Sequence, residues 1–396
     1  MTVTGTGNAP DVVDVVALGE SMVTFLPSRP GGLADVPSFH RGIGGAESNV
    51  ACVLAAAGHT TRWLSRVGAD GFGDHLVETV GGYGVDVSHV RRDPARPTGI
   101  YFRTAGDRST DDHEVAYYRS GSAASAMSLA DFHPDAVGAA RILHLSGITP
   151  ALSEGCLALI RELTAPRPGR PLISFDVNHR PRLWRDGHGP DILLELARRA
   201  DIVFVGEDEA EEAWGLTGEH IREALPEPDL VVVKRGARGA VALPTYRGQS
   251  CLPQCLKGLG GAPTGDGGPP ARAKSRVGEG GRDGTPQAPG RATTPRPATT
   301  APALKVDVVA TTGAGDAFAA GFLSATLRGL PLRARLRHGH LTAAATLTAP
   351  GDLAPPPSRA LADRLAALDD TAWGRLRLGP GWTDTLSRAE QEARTP

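Results

Sequence analysis

Between residues 12 and 240 this chain carries short apolar runs separated from one another by helical patterns, and that alternation limits its fold more than any other feature. The runs lie at 14–18 (DVVAL), 141–145 (RILHL), 172–176 (LISFD), 202–205 (IVFV) and 230–234 (LVVVK). Runs of four or five residues with little polar alternation fit strands buried on both faces. Helical patterns stand between them at 47–57 (ESNVACVLAAA, stopped by Gly58), 154–163, 192–199 and 207–214. Strands spaced by helices imply βαβ units, hence an α/β fold with a mostly parallel sheet covered on both sides.

Two places break the rhythm. Residues 101–103 and 115–119 read as strands, yet a polar stretch rather than a helix joins them. With residues 22–26 they are expected to form a small antiparallel flap outside the main sheet. From about 246 to 303 the chain is rich in Gly, Pro, Thr and Arg and almost free of aliphatic and aromatic residues after Leu259. Such a segment buries too little apolar area to offset its ordering entropy, so it is expected to be a disordered insertion. The expected organisation is a disordered tail at 1–11, a catalytic domain at 12–357 interrupted by that insertion, and a C-terminal helix and tail at 358–396. Residues beyond about 368 are expected to be peripheral.

Composition narrows the classes of function. Across 396 residues, 40% are hydrophobic and the formal net charge is -2. That balance gives no electrostatic footprint for nucleic acid or an anionic membrane. No stretch approaches the roughly 20 apolar residues of a membrane-spanning helix. The first residues (MTVTGTGNAPD) lack the basic and apolar regions of a secretory signal, so a cytoplasmic location is expected. Four cysteines do not make a disulfide framework, and Cys251 and Cys255 have no His or Cys cluster nearby to complete a metal site.

The chemistry is concentrated in residues 311–322, TTGAGDAFAAGF. Gly313, Ala314 and Gly315 are small enough for the backbone to approach a ligand closely, and a helical pattern follows. A Gly-rich turn opening a helix points free N–H groups and the positive helix end at an anion. Asp316 stands at the same helix start. A carboxylate beside a phosphate can accept the proton of an attacking hydroxyl, although taken alone Asp316 would serve equally well as a helix cap. A second segment, residues 42–68, places a Gly pair ahead of a helix carrying Asn49 and is followed by ADGFGDHL.

Together these two segments resemble the paired signature regions of the PfkB (ribokinase-like) carbohydrate kinases, from about Val12 to Pro355 apart from the insertion. The resemblance implies a ribokinase-like three-layer α/β/α sandwich with a small β-sheet lid over the sugar, and an ATP groove beside the GAGD turn. It implies that Asp316 is the catalytic base and that the N–H groups of Gly313, Ala314 and Gly315 form an anion hole for the transferred phosphoryl group. On the nucleotide side it implies Lys234, Gly236 and Gly239 (in VVVKRGARGA), Thr312 and His340. Glu209 matches the acidic residue that organises Mg²⁺ through water. A homo-oligomer formed through the lid is left open.

Four runs look like the 2-keto-3-deoxygluconate kinases in particular: GGAESNVA, YYRSGSAAS, HLSGITPALS and FDVNHRPRLW. A sugar acid needs a cation for its carboxylate, ideally the planar fork of Arg, and Arg119 and Arg180 stand at the ends of expected strands. The resemblance then implies an acceptor pocket lined by Gly45, Asn49, Tyr101, Tyr117, Arg119, Ile148, Arg180 and Asp316. The expected partners are thus a small sugar acid and ATP. A kinase for a neutral ketose such as fructose is the alternative, and a catalytically weak sugar-acid sensor is the alternative of another class.

Three positions depart from the family pattern. Ala310 precedes Thr311 where relatives carry an Asp that ligates a monovalent cation, so activation by K⁺ is not expected. Gly206 replaces the Asn of an Asn-x-x-Glu motif, and His340 stands where relatives often have Asn near the adenine.

Overall fold

A computed structural model of the chain describes residues 12–104, 114–184, 187–245 and 297–384. Its centre is an eight-stranded sheet. Read across, the strands are Thr299–Ala301, Ala240–Pro244, Leu230–Lys234, Ile202–Gly206, Leu172–Asp176, Ala140–Ser146, Val13–Leu18 and Thr61–Leu64. The last six run parallel, and the first two close the edge as antiparallel neighbours.

Each central strand feeds two cores, because successive side chains of a strand point to opposite faces. In Ile202–Gly206, Val203 and Val205 pack with Leu193, Leu196, Ala210 and Ile221. Ile202 and Phe204 instead face Phe318 and Phe322 of the helix Ala314–Leu327. Phe204 meets Phe322 edge-on with centroids 5.4 Å apart. Helix, sheet and helix make the three-layer sandwich, and a near-continuous apolar strand is what such double burial requires.

The lid is a separate four-stranded sheet in the order Phe39–Gly44, Met22–Pro27, Ile100–Arg103, Val115–Tyr118. It differs from the expected flap twice. Met22–Pro27 pairs parallel with Ile100–Arg103, and Phe39–Gly44 adds a fourth strand. The sequence FHRGIG hid that strand, since two glycines and a single aliphatic residue give no strand pattern. Aromatic pairs knit the lid, with Phe25 stacked on Phe102 at 4.7 Å and Tyr101 against Tyr117 at 5.4 Å.

Most of the expected insertion, and the expected tail at 1–11, lie outside the described residues. The end of the insertion does not: Thr299–Ala301 is a sheet strand paired with Ala240–Ala242. The C-terminal region also departs from expectation. Trp373 is fully buried and Trp382 nearly so, in one cluster with Leu341, Leu361 and Leu365. Trp373 Nε1 donates to the Pro302 carbonyl at 2.9 Å, and the Arg337 guanidinium lies 4.6 Å above its ring. Isolated tryptophans in a polar stretch carry no periodicity, so their burial could not be read from the sequence. Among the described residues no helix is long and apolar enough to cross a membrane.

Candidate active site

In parallel sheets ligands bind beyond the carboxyl ends of the strands, and five strand ends here converge on one cavity of about 870 Å³. Glu20 follows Leu18, Ile148 follows Ser146, Asp176 and Lys234 end their strands, and Glu209 follows Gly206. The lid contributes Met22, Gly44, Tyr101, Arg103, Tyr117 and Arg119.

The floor is the turn Thr311–Gly313 and the first residues of the helix Ala314–Leu327. Gly313 adopts φ +78 there, and a Cβ on it would stand 2.0 Å from the Asp352 carbonyl oxygen. Only glycine permits both the left-handed backbone and that contact. First-turn N–H groups of a helix generally lack a carbonyl partner and suit an anion; of this turn Gly313, Gly315 and Asp316 line the cavity, while the Ala314 N–H reaches the Thr311 carbonyl at 3.5 Å.

Asp316 lies in that first turn and accepts a hydrogen bond at Oδ2 from Asn49 Nδ2, 2.8 Å away. Burial lifts its carboxyl to about 7; the Asn49 hydrogen bond opposes the rise, while the Asp176 charge adds to it. Across the cavity Lys234 Nζ donates to both Asp176 oxygens at 3.0 Å. Burial works against the ammonium charge, but Asp176 and then Glu209 hold its pKa above the ordinary lysine value. The same nitrogen stands 3.5 Å from where a Cβ of Gly315 would be, so lysine and helix start face each other at close range.

Other polar groups brace the walls. Glu47, buried on the helix Ala46–Ala56 that also carries Asn49, accepts through Oε1 from Ser146 Oγ and Thr149 Oγ1, each at 2.8 Å. These bonds fix the loop bearing Ile148, and burial raises the Glu47 carboxyl to about 7. Asp352 accepts hydrogen bonds from Tyr101 Oη and, at 2.7 Å, from Arg103 Nη2. Glu20 is bonded by Arg119 Nη2 and by Ser122 Oγ. Arg180 is different: its side chain is 52% exposed, and Glu209 Oε1 is 3.5 Å away.

Most residues singled out from the sequence meet here. Gly45, Asn49, Tyr101, Tyr117, Arg119, Ile148, Arg180, Glu209, Lys234, Thr312, Gly313, Gly315 and Asp316 all line the cavity. Ala314, Gly236, Gly239 and His340 do not. Gly239, at φ +105, lies so close to the Ala301 carbonyl that a Cβ would be 2.2 Å from it. His340 is buried beside Phe318 with Nε2 3.2 Å from that same carbonyl, and burial lowers its pKa to about 4.

Sequence reasoning missed Glu20, Arg103, Asp176 and Asp352. Asp176 and Glu20 had a usable signal, a carboxylate at or just past the end of an apolar strand run. Arg103 and Asp352 had none, being 249 residues apart. Among the described residues no group of three or more His, Cys, Asp or Glu could hold a metal ion.

The description "pfkB family carbohydrate kinase" matches residues 13–256 and 297–359. The chain is 34% identical to the 2-dehydro-3-deoxygluconokinase of Bacillus subtilis (strain 168), over 88% of its own length and 93% of that protein's. It is 28% identical to "Probable fructokinase-6, chloroplastic" of Arabidopsis thaliana, over 82% and 73% of the two lengths. Among solved structures it resembles the PfkB protein from Polaromonas sp. JS666, with TM-score 0.67 and 31% identity over 89% of this chain and 99% of that one. Sheet, lid, GAGD turn and family match agree, and the chain belongs to the pfkB family of carbohydrate kinases.

Proposed function

We propose that the enzyme transfers the γ-phosphoryl group of ATP to the 6-hydroxyl of 2-keto-3-deoxygluconate, giving 2-keto-3-deoxy-6-phosphogluconate and ADP. The observation that carries the reading is Asp316, a part-buried carboxyl raised to about 7 at the start of a Gly-rich helix turn. At that pKa it is partly ionised at neutral pH, yet basic enough to take the hydroxyl proton as the oxygen–phosphorus bond forms. Asn49 holds one carboxylate oxygen and leaves the other for the acceptor. The N–H groups of the Gly313–Gly315 turn stabilise charge on the transferred phosphoryl oxygens, while the β–γ bond breaks and ADP leaves.

Lys234 and Thr312 are assigned to the nucleotide side of the cavity. Gly236, Gly239 and His340 do not line the cavity, and Gly239 and His340 are assigned a packing role beside the Ala301 carbonyl. Mg²⁺ suits this chemistry by neutralising phosphate charge. It binds such sites through phosphates, water and one or two carboxylates, and Glu209, facing the cavity, is the residue assigned to its water shell. The acid specificity is assigned to Arg180 with Tyr101 and Tyr117, supported by the likeness to the Bacillus subtilis relative.

A second reading, a kinase for a neutral ketose, is favoured by one observation: Arg119 is already paired with Glu20. The likeness to the Arabidopsis thaliana protein supports it too. ADP release measured with ATP and a panel containing 2-keto-3-deoxygluconate, its galacto epimer and fructose decides between them. A sugar-acid kinase turns over the acid with kcat/KM at least about thirtyfold above fructose, the discrimination expected when a cation is left unpaired. Equal efficiency would refute the assignment.

A further inference from the structure

Three cations lining the cavity are already held by buried carboxylates: Arg103 by Asp352, Lys234 by Asp176 and Arg119 by Glu20. The Glu20 pair stands at the lid end of the cavity. Its carboxylate is 1% exposed, and both oxygens are used, Oε2 by Arg119 and Oε1 by Ser122 Oγ at 2.9 Å. Arg119 keeps Nε buried without a hydrogen-bond partner, and its side chain is 11% exposed. To an incoming sugar, the lid end of the cavity therefore presents a dipole instead of a free positive charge, and a dipole's field falls off faster with distance.

We propose that Glu20 is a specificity-determining residue that cancels the charge of Arg119 and so sets how strongly the acceptor end of the cavity draws an anionic sugar. The proposal rests on the sugar-acid reading above for its choice of ligand. Glu20 lines the cavity, but both its oxygens are already engaged by Arg119 and Ser122, so it is assigned a positioning and charge-balancing role and not a catalytic one. The physical basis is the asymmetry of buried ion pairs. Removing one partner leaves the other desolvated and uncompensated, and any ligand that restores the missing charge recovers that loss. Glu20→Gln keeps the side-chain shape and an oxygen for Ser122 but removes the charge. Arg119 then becomes an unpaired buried cation, and a sugar carboxylate becomes its available partner.

The test uses the full chain, as parent, Glu20→Gln, Glu20→Asp and the double variant Glu20→Gln/Arg119→Met. Melting temperature is recorded without ligand, with 2-keto-3-deoxygluconate and with fructose at fixed ionic strength, and KM is measured for both sugars. Glu20→Gln is expected to melt below the parent without ligand and to be raised more than the parent by the acid. Its KM for the acid is expected to fall about fivefold or more while KM for fructose does not fall. Glu20→Asp keeps the charge and is expected to preserve the parent's acid-to-fructose KM ratio. In the double variant the gain for the acid is expected to vanish. Equal effects of Glu20→Gln on acid and fructose, or a smaller acid-induced shift than in the parent, would overturn the proposal and leave Glu20 as a brace for the lid strand. Should Glu20→Gln fail to fold, a changed sugar ratio in Glu20→Asp overturns it instead. A parent that does not prefer the acid in turnover would defeat the sugar-acid reading alone. The acid's larger stabilisation of Glu20→Gln would still support the role of Glu20.

Discussion

Replacing Asp316 by Asn separates what burial does for catalysis from what it costs in stability. The carboxyl is lifted from 3.8 to about 7, chiefly because burial disfavours its charged form. At about 1.36 kcal/mol per pKa unit, three units amount to about 4 kcal/mol. The sign follows from proton binding. Below about pH 4 the group is protonated in both folded and unfolded chains, so it carries no penalty. Between pH 4 and 7 the unfolded chain ionises while the folded one keeps its proton, and stability falls as pH rises. Above 7 the folded protein carries the charge and the full penalty. An asparagine carries none of it and can still accept the Asn49 hydrogen bond. Asp316→Asn should therefore melt higher than the parent at pH 8, by up to about 4 kcal/mol of stability, with the gap falling below about half by pH 5. Glu47, raised similarly by its own burial, is present in both proteins, so that burial cancels in the difference, and its charge adds only the last and smallest of the causes raising Asp316. Turnover should move the other way, with kcat reduced at least about 10²-fold and nucleotide and sugar binding retained. In the parent, log kcat/KM should fall with about unit slope as pH drops below 7. Melting curves from pH 5 to 8 and initial rates over the same range give all three results. An acid limb near pH 4, turnover of the variant within a few-fold of the parent, or a variant less stable than the parent at pH 8 would each refute the reasoning.

Arg180→Leu should lower kcat/KM for the sugar acid by about fivefold, a modest loss because its side chain is half exposed, while fructose, having no charge to pair, loses little; steady-state kinetics on both sugars checks this. Rates in K⁺ and in a large organic cation at equal ionic strength should agree closely, because the Ala310 methyl supplies no oxygen ligand; a strong saturable K⁺ requirement would show another donor at work. Replacing residues 257–296 by a short Gly/Ser linker should leave melting temperature and kcat/KM nearly unchanged. The family match passes from 256 to 297 without the intervening residues, and loop length enters stability only logarithmically. The replacement must stop before residue 297, since Thr299–Ala301 is part of the sheet.

The parts of the fold that could be read in the sequence were those built from local pattern. Strands such as Ile202–Gly206 and Leu230–Lys234 are apolar because both faces are covered, and helices such as Glu154–Leu163 repeat their apolar face every turn. Thr299–Ala301 was illegible because threonines and alanine gain their strand character only from Ala240–Pro244 beside them. At the site, the GAGD turn announced itself because phosphate binding needs small residues in a fixed order at a helix start. The counter-charges did not. Arg119 looked like a guanidinium fork free for a substrate carboxylate until the fold brought Glu20, 99 residues earlier, against it. Asp352 met Arg103 in the same way. Long-range pairing follows from topology, and no window of sequence contains it.

The edge of the sheet has a practical consequence for engineering. Val241 pairs with Thr300 and Ala242 with Thr299, so the chain leaves after Pro244 and returns near residue 297 as the two legs of one antiparallel ladder. Directly opposed residues in such a ladder are about 5 Å apart. A foreign domain whose own ends lie that close could be spliced between these legs without prising the strands apart. Because Gly239 and His340 both touch Ala301 at the base of the returning leg, a sensor grafted there would pull directly on the helix Leu332–Leu347 and on the turn that follows Lys234, itself a cavity residue.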